Sequence, residues 1–213
     1  MMRRFTWMAM WLCLSAMARA DLIITEVMSS SSHTNTAANG DWWELYNSGP
    51  SAIDLTAYSW DDDSATPGSA DFNGLTINAG QAIIICQETL GQEQAWKDVW
   101  GLTDVTMINL GNTEFQNFGS AGDQLHLYDG SSTEIDSVTF GAASSGYSFE
   151  WDTSGSSLGL SANGENGAFQ ATASGGGGPD IASPGAAIPE PGTWVLLGLG
   201  GLIMAGRRFL RTG

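Results

Sequence analysis

Residues 123–140 read DQLHLYDGSSTEIDSVTF. Leu125 and Leu127 alternate with polar neighbours, Asp129-Gly130-Ser131-Ser132 supplies turn chemistry, and Val138 and Phe140 alternate again. A period of two cannot present one apolar face on a helix, so the stretch must be an antiparallel hairpin. Similar runs recur upstream. LIITEVM (22–28) is apolar and β-branched, and DWWELYN (41–47) alternates before stopping at Asn47-Ser48-Gly49-Pro50. AIDLTAYSW follows, then a polar loop, DDDSATPGSADFNG, and LTINAGQAIIICQ reads as two strands around Asn78-Ala79-Gly80-Gln81. Short strands at this spacing, punctuated by Gly, Pro, Asn and Asp, restrict the chain to a β-sandwich or barrel.

One segment departs from that pattern. In TLGQEQAWKDVWGL, Ala95, Trp96, Val99 and Trp100 recur at helical spacing. This predicts a short amphipathic helix that covers one end of the sandwich, its indoles packed in the core rather than stacked on a ligand. After Trp151 the composition turns to Gly, Ser and Ala. GAFQATA has the length of an edge strand, and from Ser174 onward a flexible tether is expected. The expected organisation is therefore a signal peptide at 1–20, an all-β sandwich at 21–173, a Gly/Pro-rich linker at 174–188, and a C-terminal tail at 189–213.

The two ends read as addresses. MMRR, then FTWMAMWLCLSAM, then Ala18-Arg19-Ala20 form a basic, apolar and small-x-small series, a secretory signal cleaved after Ala20. At the other end, Thr193–Gly206 is an uncharged run of 14 residues that includes four glycines. As a helix it would be roughly 21 Å long, against a hydrocarbon core of about 30 Å. Such a segment enters a membrane but holds there poorly.

Charge narrows the function. Between Asp21 and Ile188 there are 22 acidic residues and a single basic one, Lys97, a net charge near −21. A body so charged lacks the basic footprint of nucleic-acid binding, and its natural electrostatic partners are divalent cations and cationic polymers. Cys13 leaves with the signal. Cys86 stands alone in AIIICQ and is expected to pack as a small buried hydrophobe. Stability must then come from a core, to which six tryptophans between 21 and 151 contribute.

Two resemblances follow from these stretches. Pro189-Glu190-Pro191, the short apolar helix and the Arg207-Arg208 pair resemble the PEP-CTERM sorting signal. The resemblance implies a protein exported across the inner membrane of a Gram-negative bacterium that makes exopolysaccharide. It implies recognition by an exosortase, a membrane protease, with the tail inserted transiently and cleavage near Pro189-Glu190-Pro191. LIITEVM, DWWELYNSGPSAIDLTAYSW, LTINAGQAIIIC, GDQLHLYDGSSTEIDSVTF and SPGAA, in that order, are similar to the lamin-tail domain. That implies an immunoglobulin-like sandwich and a binding or scaffolding module, and no chemistry of its own.

Residue by residue, catalytic equipment is sparse. His33 lies in a polar Ser-rich loop and is expected to be solvated. His126 alternates with Leu125 and Leu127, so it is expected on the solvent side of its strand. No HExxH, CxxC or phosphate-cradling loop is present. Glu44 shares a strand face with Trp42, and Asn47 is suited to organising the turn that follows. No catalytic residue and no resident cofactor is assigned. Calcium at Asp61, Asp62 and Asp63 is the one metal site weighed, against a solvated acidic loop; the spacing departs from an EF-hand. The expected role is a non-enzymatic surface or matrix protein in adhesion or exopolysaccharide organisation. The alternative is a carbohydrate-binding or carbohydrate-cleaving protein that uses exposed tryptophans. Trp42, Trp43, Trp60 and Trp151 discriminate between the two, because sugar recognition needs a flat exposed indole and a scaffold buries all four.

Overall fold

The structure, a computed structural model, describes residues 22–33, 38–172 and 180–189. The signal peptide with Ala18 and Ala20 lies outside the described residues, as do Glu190, Pro191, Arg207, Arg208 and the apolar tail helix. In chain order the elements are β1 Leu22–Met28, β2 Trp42–Asn47, β3 Ile53–Asp54, β4 Ser59–Asp61, β5 Ala70–Asp71, β6 Thr76–Ile77 and β7 Ala82–Cys86. Helix α1 (Glu93–Trp100), β8 (Thr106–Asn109) and the single turn α2 (Gly111–Glu114) follow. The chain continues through β9 Asp123–Tyr128, β10 Glu134–Phe140, β11 Phe149–Trp151, β12 Ser157–Leu160, β13 Phe169–Gln170 and β14 Ile181–Ala182.

Two sheets face each other, as in an immunoglobulin-like sandwich. One has six strands in the order β12-β11-β1-β2-β7-β8; the other has four, β10-β9-β4-β5. Small ribbons β3-β6 and β13-β14 complete the β structure. Thus the two strands read from LTINAGQAIIICQ exist but part company: β6 pairs with β3, while β7 joins the large sheet beside β2. The hairpin expected at 123–140 forms as β9-β10, its register running from Asp123↔Phe140 to Tyr128↔Glu134. Between the sheets lies a core of Leu22, Ile24, Val27, Trp43, Leu45, Ile83 and Ile85 against Trp60, Leu125, Leu127, Val138 and Phe140. Trp43 and Trp60 meet edge to face at 5.3 Å, and Trp60 meets Phe115 at 5.0 Å. Each such pair adds roughly 0.5–1.5 kcal/mol beyond simple burial.

A β-bulge decides which residues of β1 face this core. Ile24 pairs with Leu45 and Glu26 pairs with Glu44, which leaves Thr25 as the extra residue. Without it, strict alternation from Leu22 and Ile24 would send Glu26 inward. The insertion returns Val27 to the core and turns Glu26 to the outer face.

The outer face of the large sheet is also covered. Met28, Trp42, Ile84 and Cys86 pack there against Trp96, Val99 and Trp100 of α1. Trp42 sits edge-on to Trp96 at 5.8 Å and to Trp100 at 5.9 Å. The helix and its buried indoles match the sequence reading, but the helix lies across the outer face of the sheet rather than over an end of the sandwich. Gly101, at φ 65°, caps it in the left-handed conformation that ends many helices.

The tether expected at 174–188 needs correction over its second half. Asp180, Ile181, Ala182, Ser183, Pro184 and Ile188 are all buried. Ile181–Ala182 pairs with Phe169–Gln170, so the edge strand expected in GAFQATA has its partner in the supposed linker. Gly, Ser and Ala read as a tether on hydropathy because what they contribute here is backbone. This segment, 180–189, is called the strap below.

Candidate functional site

Three strands of the large sheet each present one glutamate to the outer face at the same level. Glu26 of β1 is the cross-strand partner both of Glu44 in β2 and of Glu150 in β11. The three carboxyls form a row, each about 1 % exposed. The strap lies over it and hands its N–H groups down. Ser183 N–H donates to Glu26 Oε1 at 2.8 Å, and Gly185 N–H donates to Glu44 Oε2 at 2.6 Å, with Ala186 N–H as a further donor to Glu44. Ser183 Oγ donates to Glu150 Oε1 at 3.3 Å. From the sheet, Thr25 Oγ1 donates to Glu44 Oε1 at 2.7 Å and Ser148 Oγ to Glu26 Oε1 at 2.6 Å. The bulge residue therefore serves the row it creates. Gly185 adopts φ 87°, a geometry that suits glycine and lets the strap aim consecutive N–H groups at Glu44.

Further contacts fix the strap at each end. The Asp180 carboxylate accepts from Ser31 Oγ, from Ser32 N–H at 2.7 Å and from Ser32 Oγ at 2.7 Å. Ile181 N–H donates to Gly146 O at 2.8 Å, and Ser161 Oγ donates to Ile181 O at 2.6 Å. At the far end, Thr153 N–H donates to the carbonyl of buried Ile188 at 2.9 Å, within a bridge between Asp152 and Ile188. Pro189 follows at once.

No cation answers these carboxyls among the hydrogen bonds just described; every donor is neutral. Burial is the main reason that the Glu26 carboxyl rises well above the ordinary glutamate value, and the neighbouring Glu44 charge adds to it. Burial likewise raises Glu44 and Glu150. Two further carboxyls, buried Glu88 after β7 and half-buried Asp41 before β2, are shifted the same way. Burial lifts Glu88 to about 8 despite a hydrogen bond from Gly40 N–H, and lifts Asp41 to about 6. Burial also pushes the Cys86 thiol up, in keeping with an inert packed cysteine.

The residues marked as candidates in the sequence fall out as follows. Asp61, Asp62 and Asp63 do not converge. Asp61 is buried and accepts from Thr66 N–H at 2.6 Å and from Ser64 Oγ; Asp62 caps its own turn through Ser64 N–H at 3.2 Å; Asp63 is exposed. The first two carboxylates are spent on loop backbone, which local charge density does not reveal. Among the described residues no group of three or more His, Cys, Asp or Glu is placed to hold a metal ion. Asn47 organises its turn as expected: its amide donates to Ser51 O and Ile77 O, and its carbonyl accepts from Gly49 N–H.

Both histidines depart from the expected solvent exposure. His33 is 4 % exposed, its Nε2 3.3 Å from Thr172 O. His126 does lie on the face of β9 opposite Leu125 and Leu127, yet it is nearly covered. It stacks on Tyr128 and its Nδ1 lies 2.6 Å from Glu134 Oε2. Ser137 Oγ donates to the other oxygen of Glu134, not to the imidazole, and Nε2 is buried without a hydrogen-bond partner. The arrangement orients a histidine but sets no nucleophile against it. Trp42, Trp43, Trp60, Trp96, Trp100 and Trp151 are all buried, so the described residues offer no exposed indole platform for sugar.

Glu26 and Glu150 were missed from the sequence altogether. The available signal was a repeated one: TEVM, WELY and FEWD each set a glutamate among apolar or aromatic neighbours in a strand.

The two sheets and the carboxyl-held strap define an all-β domain of the immunoglobulin-like sandwich class. The family model of the Lamin Tail Domain matches residues 15–142, more than half of the chain, and the protein belongs to that family. The PEP-CTERM protein-sorting motif matches residues 187–210, which marks an exported protein that an exosortase recognises and processes. No curated protein and no solved structure matches the chain. The strands after 142, and the strap, complete the sandwich beyond the span of the first match. Among the described residues no helix is long and apolar enough to cross a membrane.

Proposed function

We propose that the protein is a non-enzymatic scaffold of the cell surface or extracellular matrix, acting in adhesion or exopolysaccharide organisation once an exosortase has cut its tail near Pro189-Glu190-Pro191. Before that cut, the short apolar segment holds the chain transiently in the inner membrane. One observation carries the reading: 22 acidic residues against Lys97 alone. The buried glutamates and aspartates belong to the fold, and the exposed carboxylates form a dispersed anionic surface. Such a surface repels its own copies and anionic polymers until divalent cations bridge them. Cation capture in this reading is diffuse and does not depend on Asp61–Asp63.

The test is cosedimentation of the processed body with the host's exopolysaccharide. With millimolar calcium or magnesium, the body should pellet with the polymer; with chelator it should remain in the supernatant. A body that stays soluble under both conditions, from a host whose matrix is unchanged when the gene is deleted, removes the proposal.

A further inference from the structure

We propose that the folded body supplies part of the surface that the exosortase grips, through an apolar cleft where the strap ends. The inference rests on the sorting assignment and extends it from the linear motif to the domain.

The first observation is positional. The sorting motif begins at residue 187, inside the fold. Ile188 is buried and its carbonyl is hydrogen-bonded to Thr153 N–H at 2.9 Å. Pro189, the first residue of Pro189-Glu190-Pro191, follows with no spacer between body and motif. Two further residues reach Pro191, about 7 Å of fully extended chain. A protease that holds this tripeptide in its cleft therefore has the body pressed against it.

The second observation is chemical. A cleft of about 680 Å³ opens beside the strap's end, lined by Leu158, Asn166, Ala186, Ala187, Ile188 and Pro189. None of these residues is charged, on a body whose net charge is near −21. Leu160, two residues along the same edge strand, is 44 % exposed and is one of two large hydrophobic side chains that are exposed among the described residues. The cleft is thus continuous with the motif itself: Ala187, Ile188 and Pro189 belong to both. An uncharged concavity contiguous with a recognised motif fits an apolar protein surface. A bilayer surface fits less well, since a strongly anionic body is repelled by anionic headgroups.

The experiment follows precursor and processed forms of the full chain by mass spectrometry in a host that carries its exosortase. Three variants are compared with wild type. Leu158→Glu places a charge in the cleft. Leu90→Glu places the same charge on the other large exposed hydrophobic, which is 67 % exposed. A Gly-Ser-Gly-Ser insertion between Ile188 and Pro189 leaves the body's sequence intact and moves the motif off it. The cleft's role predicts several-fold precursor accumulation for Leu158→Glu and for the insertion, and wild-type processing for Leu90→Glu. Thermal melts of the bodies report whether Leu158→Glu still folds; if it does not, the insertion alone decides.

A photo-crosslinker at position 158 should capture the exosortase; capture of lipid alone transfers the cleft to the bilayer and overturns the proposal. Wild-type rates for both Leu158→Glu and the insertion overturn it as well. So does faster processing of the insertion, which would make the body an obstacle rather than a handle. These failures leave the sorting assignment standing, whereas an unprocessed wild-type chain removes both.

Discussion

The two faces of the six-stranded sheet are both buried, but by different physics. The inner face is closed by aliphatic and aromatic contact with the second sheet, where Trp43 and Trp60 have no exposed surface. The outer face is half apolar, under α1, and half ionisable, under the strap. Hydrophobic burial is non-directional and tolerates repacking. A row of buried carboxyls held by hydroxyl and backbone N–H donors is directional, and it depends on protonation. One face therefore sets whether the domain folds; the other sets where its C-terminal segment goes.

The sharpest way to break that division is to remove Thr25. Without the bulge, Glu26 or the residues on the other side of the deletion must swap faces. A buried unpaired carboxylate then costs several kcal/mol. Deletion of Thr25 is expected to abolish cooperative thermal unfolding of the domain. Truncation at the inner face comes next: Trp60→Ala should cost roughly 3–5 kcal/mol and be read as a lower denaturant midpoint.

The outer face should show itself through pH. Glu44, Glu26, Glu88 and Glu150 all have folded values above those of the unfolded chain. A raised carboxyl contributes stability that is fully present below the unfolded value, near 4, and lost as pH rises through the folded one. The window runs through about 7 for Glu44 and about 8 for Glu88. The melting temperature should thus fall from pH 5 to pH 9, by roughly 5 °C or more, given ~2–4 °C per kcal/mol for a domain of this size. Asp54, lowered by its hydrogen bonds from Thr56, opposes this only at the acidic end and is fully exposed. A melting temperature that rises steadily toward pH 9 would mean that the carboxyl row is ionised and content.

The smallest effect belongs to the strap itself. Gly185→Ala forces a side chain onto φ 87° and should cost about 1 kcal/mol. Hydrogen exchange should localise the loss to 183–188, leaving the inner strands protected; equal loss across β1 and β2 would erase the distinction between the faces.

Much of the inner face, and the helix that packs on the apolar half of the outer face, was legible in the amino-acid order. LHLYDGSSTEIDSVTF alternates because one side meets a core, and Trp96, Val99 and Trp100 recur because a helix buries one stripe. Asn47 announced its turn. The ionisable half of the outer face was not legible, for identifiable reasons. Thr25 shifts the alternation by one, and nothing in LIITEVM reveals that a single residue is supernumerary. Glu26 and Glu150 drew no notice because their strap partners lie more than 30 residues further along the chain. The strap's donors are peptide N–H groups of Ser183 and Gly185, which no hydropathy scale registers. Asp61 is the opposite case: its carboxylate accepts from Thr66 N–H and Ser64 Oγ, which local charge density does not reveal.

Lys97 is the lone cation between Asp21 and Ile188, and this has a consequence for folding in dilute buffer. A chain with one ammonium group cannot neutralise itself by internal pairing. Collapsing it into a compact body draws in an atmosphere of sodium or magnesium from the medium. Ionic strength then acts as a silent cofactor: fresh water loosens the body and brackish water tightens it, the reverse of a protein stapled together by ion pairs.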